Sequence, residues 1–363
     1  MERMKKHIKK VLIVAGGTGG HIFPALAFGE WIQKEKKAES VIYLSGNRAL
    51  ELEIYRSRGV EPICLSLGGS PIGASSVFLK LRRCAELFFS FLRVGVLLCR
   101  ERPDVCFLFG SYVSLPPLFW SLILRISVIL HEQNSCAGKV TRLASFLGVP
   151  IASGWGECRG LRNFTPVGVP IRDIKKIPKL EAARALDIDI SGSDFVVGVI
   201  GGSIGSASLE NLIGQLARDR ENFIFAALGN RPSESAASKN LYFLGKHWDM
   251  TLFYSVSDVV VCRAGASTLA ELMAYDVQAL VVPWTKAADG HQELNAQNFS
   301  RRTGNPIWIQ SKIQNKIQNK TDSDYYEFDK AFEKLIEKFN EKKTPSQPNQ
   351  NQSDLLWRVC KNK

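Results

Sequence analysis

The sequence predicts an α/β protein made of two Rossmann-like parallel-sheet domains in tandem, facing each other across a cleft. Three observations predict it. Short apolar, β-branched runs alternate with helical patterns along most of the chain, as parallel strands joined by crossover helices do. The first run leads into glycines in "VLIVAGGTGGHIFPALAFGEW" (Val11–Trp31), and a second copy of that pattern recurs in "FVVGVIGGSIGSASL" (Phe195–Leu209). A length of 363 residues, 45% hydrophobic and 23% charged, suffices for two ordinary globular domains.

In chain order, Val11–Ala15 reads as a buried strand, Gly16–Gly20 as a turn rich in glycine, and Pro24 with Ala25, Leu26, Phe28 and Trp31 as a helix starting close behind. Strands are then expected at 40–44, 62–66, 105–109, 127–130 and 149–152. The uncharged stretch Val105–Leu124 is long enough to suggest a membrane span. Gly110, Pro116 and Pro117 interrupt it, so it parses as strand, loop and helix. The join is placed near "TPVGVPIR" (Thr165–Arg172), giving domains 1–168 and 169–363. In the second, Gly201-Gly202-Ser203 overlays Gly16-Gly17-Thr18, and strands are expected at 223–228, 241–244, 259–261 and 279–282. The polar repeat 311–324 reads as an exposed loop, and Phe328, Phe332, Leu335, Ile336 and Phe339 have helical spacing. "TPSQPNQNQ" reads as a spacer, and a last helix, about 352–361, is expected to pack back toward the first domain.

The net charge of +12 points to an anionic partner without choosing among nucleic acid, membrane and phosphorylated substrate. The eight cysteines contain no CxxC pair, which argues against a zinc ribbon and for free thiols. "MERMKKHIKK" is basic, but the apolar run behind it is too short for an export signal. The third glycine position of a dinucleotide fingerprint is Ile22, and neither glycine turn carries the GK[ST] of a P-loop. The DxD pairs Asp187–Asp189 and Asp322–Asp324 read as solvated loops, so no metal is expected.

What remains is a set of polar residues gathered at strand ends. "LHEQN" supplies His131, Glu132, Gln133 and Asn134. "CRAGASTLAEL" supplies Arg263, Ser267, Thr268 and Glu271, and "AADGHQELNA" supplies Asp289, His291, Gln292 and Asn295. Carboxylates, amides and hydroxyls beside glycine turns suited to phosphate form an inventory for a sugar joined to a diphosphate.

The order and spacing of "GGTGGHIFPALA", "GSYVSLP", "HEQNSCAG", "VGVPIR", "GGSIGS", "CRAGASTLAEL" and "AADGHQELNA" resemble the MurG family of glycosyltransferase family 28. The resemblance covers most of residues 11–300 and implies the GT-B fold. It implies inverting transfer of GlcNAc from UDP-GlcNAc to lipid I, forming lipid II for peptidoglycan, with no tightly bound cofactor. By the same resemblance Gly16, Gly17, Thr18, Gly19 and Gly20 face the acceptor diphosphate, with Tyr112 and Ser114 nearby. Thr18, Gly19 and Gly20 also border the donor. His21 is the candidate base, with His131 and Glu132 as competitors. Asn134 touches the donor sugar and Arg172 the nucleotide. Gly202, Ser203, Gly205 and Thr268 cradle the UDP phosphates, Glu271 holds the ribose, and His291, Gln292 and Asn295 read the GlcNAc hydroxyls. The implied setting is peripheral, on the cytoplasmic face of the inner membrane, with other cell-wall synthesis proteins as partners. Several positions depart from the family pattern: Ser111 replaces a glycine, Val169 an Asn, Ile204 a Gln and Gly290 a polar residue, and "GKHWDM" (Gly245–Met250) replaces a segment beside uracil.

A lipid acceptor calls for a membrane face. Phe78, Leu81, Ala85, Phe88, Leu92 and Val96 recur at helical spacing, widened by Leu87, Phe89 and Phe91 and flanked by Lys80, Arg82, Arg83 and Arg93. That pattern suits an interfacial helix on anionic lipid. Two rivals stand beside this reading: another UDP-sugar enzyme of the same fold, such as a soluble glycosyltransferase or a UDP-GlcNAc 2-epimerase, and a nucleic-acid binder. The basic residues are too dispersed for the second, so no nucleic acid is expected.

Overall fold

The computed structural model describes residues 8–69, 76–201, 207–229, 238–285, 287–310, 321–341 and 351–361. The chain divides into two compact units, Met1–Arg172 with Gln350–Lys363, and Asp173–Asn349. Val169–Arg172 and the last helix therefore belong to the first unit.

The first unit carries a seven-stranded sheet: β1 (Lys10–Val14), β2 (Ser40–Gly46), β3 (Ile63–Leu65), β4 (Val105–Leu108), β5 (Ser127–Glu132), β6 (Ile151–Ser153) and β7 (Thr165–Pro166). Its order is β3-β2-β1-β4-β5-β6-β7, and every pairing is parallel. The helices are α1 (Gly19–Lys34), α2 (Ala49–Arg56), α3 (Val77–Glu101), α4 (Leu115–Ile123) and α5 (Lys139–Phe146). β1 and β4 are buried almost throughout, which is why they read as unbroken apolar runs. The strand order reverses between β1 and β4. In an open parallel sheet, ligands bind beyond the carboxyl ends of the strands at such a point.

Two expectations in this unit are corrected. The first helix begins at Gly19, not near Pro24, so Gly19, Gly20 and His21 form its first turn. Pro24 sits inside it, where the missing N–H removes one rung of the helix ladder. Thr165–Pro166, read as part of a linker, pairs with β6 as an edge strand.

α3 buries only Ser90, Val94, Gly95 and Leu98. Gly95 is required there, because a Cβ would lie 2.5 Å from the Trp120 ring of α4. The whole stripe Phe78, Leu81, Ala85, Phe88, Leu92 and Val96 lies on the exposed side.

The second unit contains α6 (Lys179–Ala185), β8 (Phe195–Ile200), α7 (Ala207–Asp219), β9 (Phe223–Leu228), β10 (Leu241–Phe243), α8 (Thr251–Val256), β11 (Val259–Cys262), α9 (Ala266–Ala274), β12 (Gln278–Val281), α10 (His291–Thr303) and α11 (Thr321–Glu341). Its five-stranded parallel sheet runs β10-β9-β8-β11-β12 and so repeats the same reversal, between β8 and β11. α11 covers the sheet with Phe328, Phe332 and Leu335. It starts at Thr321, so the end of the polar repeat, read as loop, is helical. Residues 311–320 lie outside the described residues.

The last helix, α12 (Gln352–Lys361), docks in the first unit. Trp357 stacks on Phe107 of β4 at 6.0 Å between ring centroids and also meets Phe28 and Trp31 of α1. Among the described residues no helix is long and apolar enough to cross a membrane.

Candidate active site

The carboxyl ends of β1, β4 and β5 bring together the first group of site residues. His21, half-buried in the first turn of α1, lies with Nδ1 2.8 Å from Gln133 Oε1. Gln133 is buried, and its amide nitrogen reaches His131 Nδ1 at 3.1 Å and the His131 carbonyl at 3.0 Å. His131 Nε2 in turn lies 2.8 Å from the Gly168 carbonyl. Burial pushes the His131 ring down to about 4, against the opposing pull of its bond to Gly168, so it is neutral near pH 7. His131 therefore has both ring nitrogens engaged. Among the described residues, His21 Nε2 has no hydrogen-bond partner.

Glu132 has a different job. Oε1 accepts from the Asn134 backbone and side-chain nitrogens, and Oε2 accepts from Gly138 N and Thr141 Oγ1. Four donors on one buried carboxylate fix the loop that carries Asn134, whose side chain is half-buried.

The glycine turn is held by a residue that local motifs did not single out. Glu51, buried in the first turn of α2, accepts from Gly17 N and from the Arg48 backbone and side chain. Arg48 also donates to the Gly17 carbonyl. The Gly17 amide is thereby occupied, and any anion at this turn must look to the amino end of α1. Gly17 has φ +93, and a Cβ on Gly16 would lie 2.8 Å from Val113 Cγ2, so both glycines are needed to build the turn. Thr18 is the N-cap residue of α1 but makes no side-chain cap bond.

Of the acceptor-side residues, Tyr112 is half-buried in a short 3-10 turn, and burial pushes its phenol up to about 12. Ser114, expected to contact the acceptor, is fully buried and donates to the Gly110 carbonyl at 2.5 Å. It organises the turn. Ser111 holds φ +67, ψ 162, backbone territory that suits glycine, which gives its departure from the family pattern a strain cost. Arg172 lies over the Phe23 ring at 4.2 Å, close in sequence to His21 on α1. Val169 is buried and packs within 2.5 Å of where a Cβ on Gly154 would be, so an apolar residue fits that position.

In the second unit, Gly202, Ser203 and Gly205, with Ile204, lie outside the described residues. Arg263 is buried and donates to the carbonyls of Val282 and Pro283 and to Ser208 Oγ. Thr268 sits half-buried in the first turn of α9. Glu271, one turn further along, is buried and accepts from Tyr254 Oη at 3.0 Å. His291 and Gln292 open α10, and Gln292 Oε1 accepts from Trp284 N at 2.9 Å. Asp289 and Gly290 both have positive φ, so a glycine suits the N-cap that the family pattern fills with a polar residue. Asn295, expected among the sugar-reading residues, is fully buried and donates to the Ala264 carbonyl at 3.1 Å. It ties α10 to the β11 loop.

Two parallel sheets of the same strand order, each with polar residues at its switch point, are those of the GT-B fold. Comparison with known proteins narrows the class. The glycosyltransferase family 28 N-terminal domain matches residues 11–148 and the family's C-terminal domain matches residues 196–347. A UDP-N-acetylglucosamine--N-acetylmuramyl-(pentapeptide) pyrophosphoryl-undecaprenol N-acetylglucosamine transferase of Protochlamydia amoebophila is 30% identical over 306 residues, 80% of either chain. A protein of the same name from Alcanivorax borkumensis is 33% identical over 302 residues, 80% of this chain and 82% of its own. The crystal structure of Acinetobacter baumannii MurG superposes with a TM-score of 0.65 at 21% identity, covering 96% of this chain and 99% of that one. The chain belongs to glycosyltransferase family 28.

Proposed function

We propose that this protein transfers GlcNAc from UDP-GlcNAc to the muramoyl 4-hydroxyl of undecaprenyl-diphospho-MurNAc-pentapeptide, converting lipid I to lipid II. The observation that carries the reading is the likeness to relatives bearing that activity in their names, which runs through both units.

The chemistry follows from the residues. The acceptor hydroxyl oxygen attacks the anomeric carbon of GlcNAc on the face opposite UDP. A new glycosidic C–O bond forms as the bond to the β-phosphate oxygen breaks with its electron pair. The hydroxyl proton passes to His21 Nε2, the one ring nitrogen of the His21–Gln133–His131 group without a partner among the described residues. His131 and Glu132, the competing bases, are fully engaged in holding the loop. The amino end of α1, at Gly19 and Gly20, presents a positive helix dipole to the acceptor diphosphate. On the donor side, Thr268 at the start of α9 serves the UDP phosphates, together with Gly202, Ser203 and Gly205. Glu271 serves the ribose, His291 and Gln292 the GlcNAc hydroxyls, Asn134 the sugar and Arg172 the nucleotide. As UDP departs, preorganised N–H groups offset its growing charge.

A lipid-linked acceptor places the enzyme at a membrane surface, and α3 supplies the face. Phe78 is 78% and Phe89 67% exposed, Leu81, Phe88 and Val96 are exposed beside them, and Lys80, Arg82 and Arg93 flank the stripe. Apolar side chains entering the headgroup region with cations alongside are the ingredients of binding to anionic lipid on the cytoplasmic leaflet. Partnership with other cell-wall synthesis proteins belongs to the same proposal.

The test is release of UDP by the purified protein. It should require both UDP-GlcNAc and a lipid-diphospho-muramoylpentapeptide. Release, or epimerisation of the sugar, with UDP-GlcNAc alone at a comparable rate would favour the epimerase reading.

A further inference from the structure

The polar chain through His21, Gln133 and His131 has a direction, and its far end sets it. The Gly168 carbonyl can only accept, so His131 Nε2, 2.8 Å away, must carry a proton. His131 is neutral in its buried site, so its Nδ1 is a lone pair and accepts from the group facing it. That group is the Gln133 side chain at 3.1 Å, which must present its NH2; the same nitrogen donates to the His131 carbonyl at 3.0 Å. The flipped amide would set oxygen against a carbonyl and a lone pair at once. With nitrogen so placed, Oε1 faces His21 Nδ1 at 2.8 Å and can only accept, so Nδ1 carries the proton. The backbone of Gln133 is pinned as well, since its carbonyl accepts from Trp155 Nε1 at 2.9 Å.

From this geometry we propose that Gln133 is a positioning residue that fixes His21 in the Nδ1–H tautomer, leaving Nε2 as the proton-accepting atom, with His131 and the Gly168 carbonyl setting the sense of the relay. This rests on the assignment of His21 as base, and it explains why the loop carries an amide there. Ring orientation and ring protonation are separate requirements for an imidazole base: a well-placed ring in the other tautomer presents a donor where an acceptor is needed. A carbonyl acceptor alone would meet both, but here the acceptor belongs to an amide whose own orientation is dictated by a second, buried histidine.

The test reads the ring directly. Protein labelled with 15N at histidine, free of substrates, is examined by long-range 1H–15N correlation spectra, and the His21 signals are assigned with His21→Ala. The expected result at neutral pH is an Nδ1–H ring. In Gln133→Leu, which cannot bond the ring, the His21 signals should move toward the Nε2–H form. Turnover should fall by about tenfold or more while KM for UDP-GlcNAc stays within about twofold. Gln133→Glu keeps an accepting oxygen toward His21 and should retain the Nδ1–H pattern, although its buried carboxyl should lower the melting temperature. A merely structural glutamine would show the reverse order of damage. A wild-type His21 ring in the Nε2–H form overturns the proposal without any variant. So does a folded Gln133→Leu protein with unchanged His21 signals and turnover. Normal turnover in His21→Ala with an Nδ1–H ring in the wild type would retire the base assignment and leave the relay intact, so the two failures are distinguishable.

Discussion

The switch points of the two units are built from similar residue types and are wired differently. In the first unit, buried amide and imidazole groups form a line that ends at His21, where Nε2 has no hydrogen-bond partner among the described residues. In the second unit several of the described polar side chains turn inward. Arg263 braces the β12 end, Asn295 ties α10 to the β11 loop, and Glu271 takes the Tyr254 hydroxyl. The difference teaches a division of labour. The first unit ends its network in a ring nitrogen without a partner among the described residues, whereas the second uses its network to hold a loop in shape.

The comparison can be broken at either unit. The largest effect should come from His21→Ala, which removes the ring at the end of the first network. Turnover should fall by roughly a hundredfold to ten-thousandfold in a UDP-release assay. Trp357→Ala should follow, because its ring is buried against Phe107 and Phe28. A loss of about 3–5 kcal/mol is expected in denaturant unfolding, confined to the transition of the first unit. Next comes acid. His131 is held near 4 in the folded protein against 6.5 in an open chain. Between those values the unfolded chain takes up a proton that the folded one refuses. Stability of the first unit should therefore drop as pH falls from about 6.5 and level off near pH 4, losing up to about 3 kcal/mol in urea titrations. His131→Gln should flatten that slope. The smallest effect should come from Ser111→Gly, which relieves a backbone at φ +67, ψ 162 and should raise stability by about 1 kcal/mol in the same titrations.

Much of this architecture was legible because fully buried parallel strands announce themselves. β4, β8 and β11 lie in runs of apolar residues that local pattern locates to within a residue or so. The start of α1 was not legible: Gly19 and Gly20 are poor helix formers, and no capping side chain marks Thr18. The motifs name candidate positions but not the bonds their side chains make. Ser114 and Asn295 stand where the motifs put them, yet both are fully buried and bonded to backbone carbonyls. Strand-end position does not by itself mean exposure. Glu51 escaped notice because its partner Gly17 lies 34 residues away, although a Glu three residues after Arg48 at a helix start is a faint capping signal. Gln133 was visible beside its neighbours, but its meaning depends on His21, 112 residues earlier.

The division of labour is tested most directly by the affinity for UDP-GlcNAc, measured calorimetrically on His21→Ala and Glu271→Ala side by side. His21→Ala should bind the donor within about twofold of the parent, whereas Glu271→Ala, deprived of a hydrogen-bonding carboxyl group, should bind it about tenfold or more weakly. Weakened donor binding in His21→Ala together with parental binding in a folded Glu271→Ala would contradict the account.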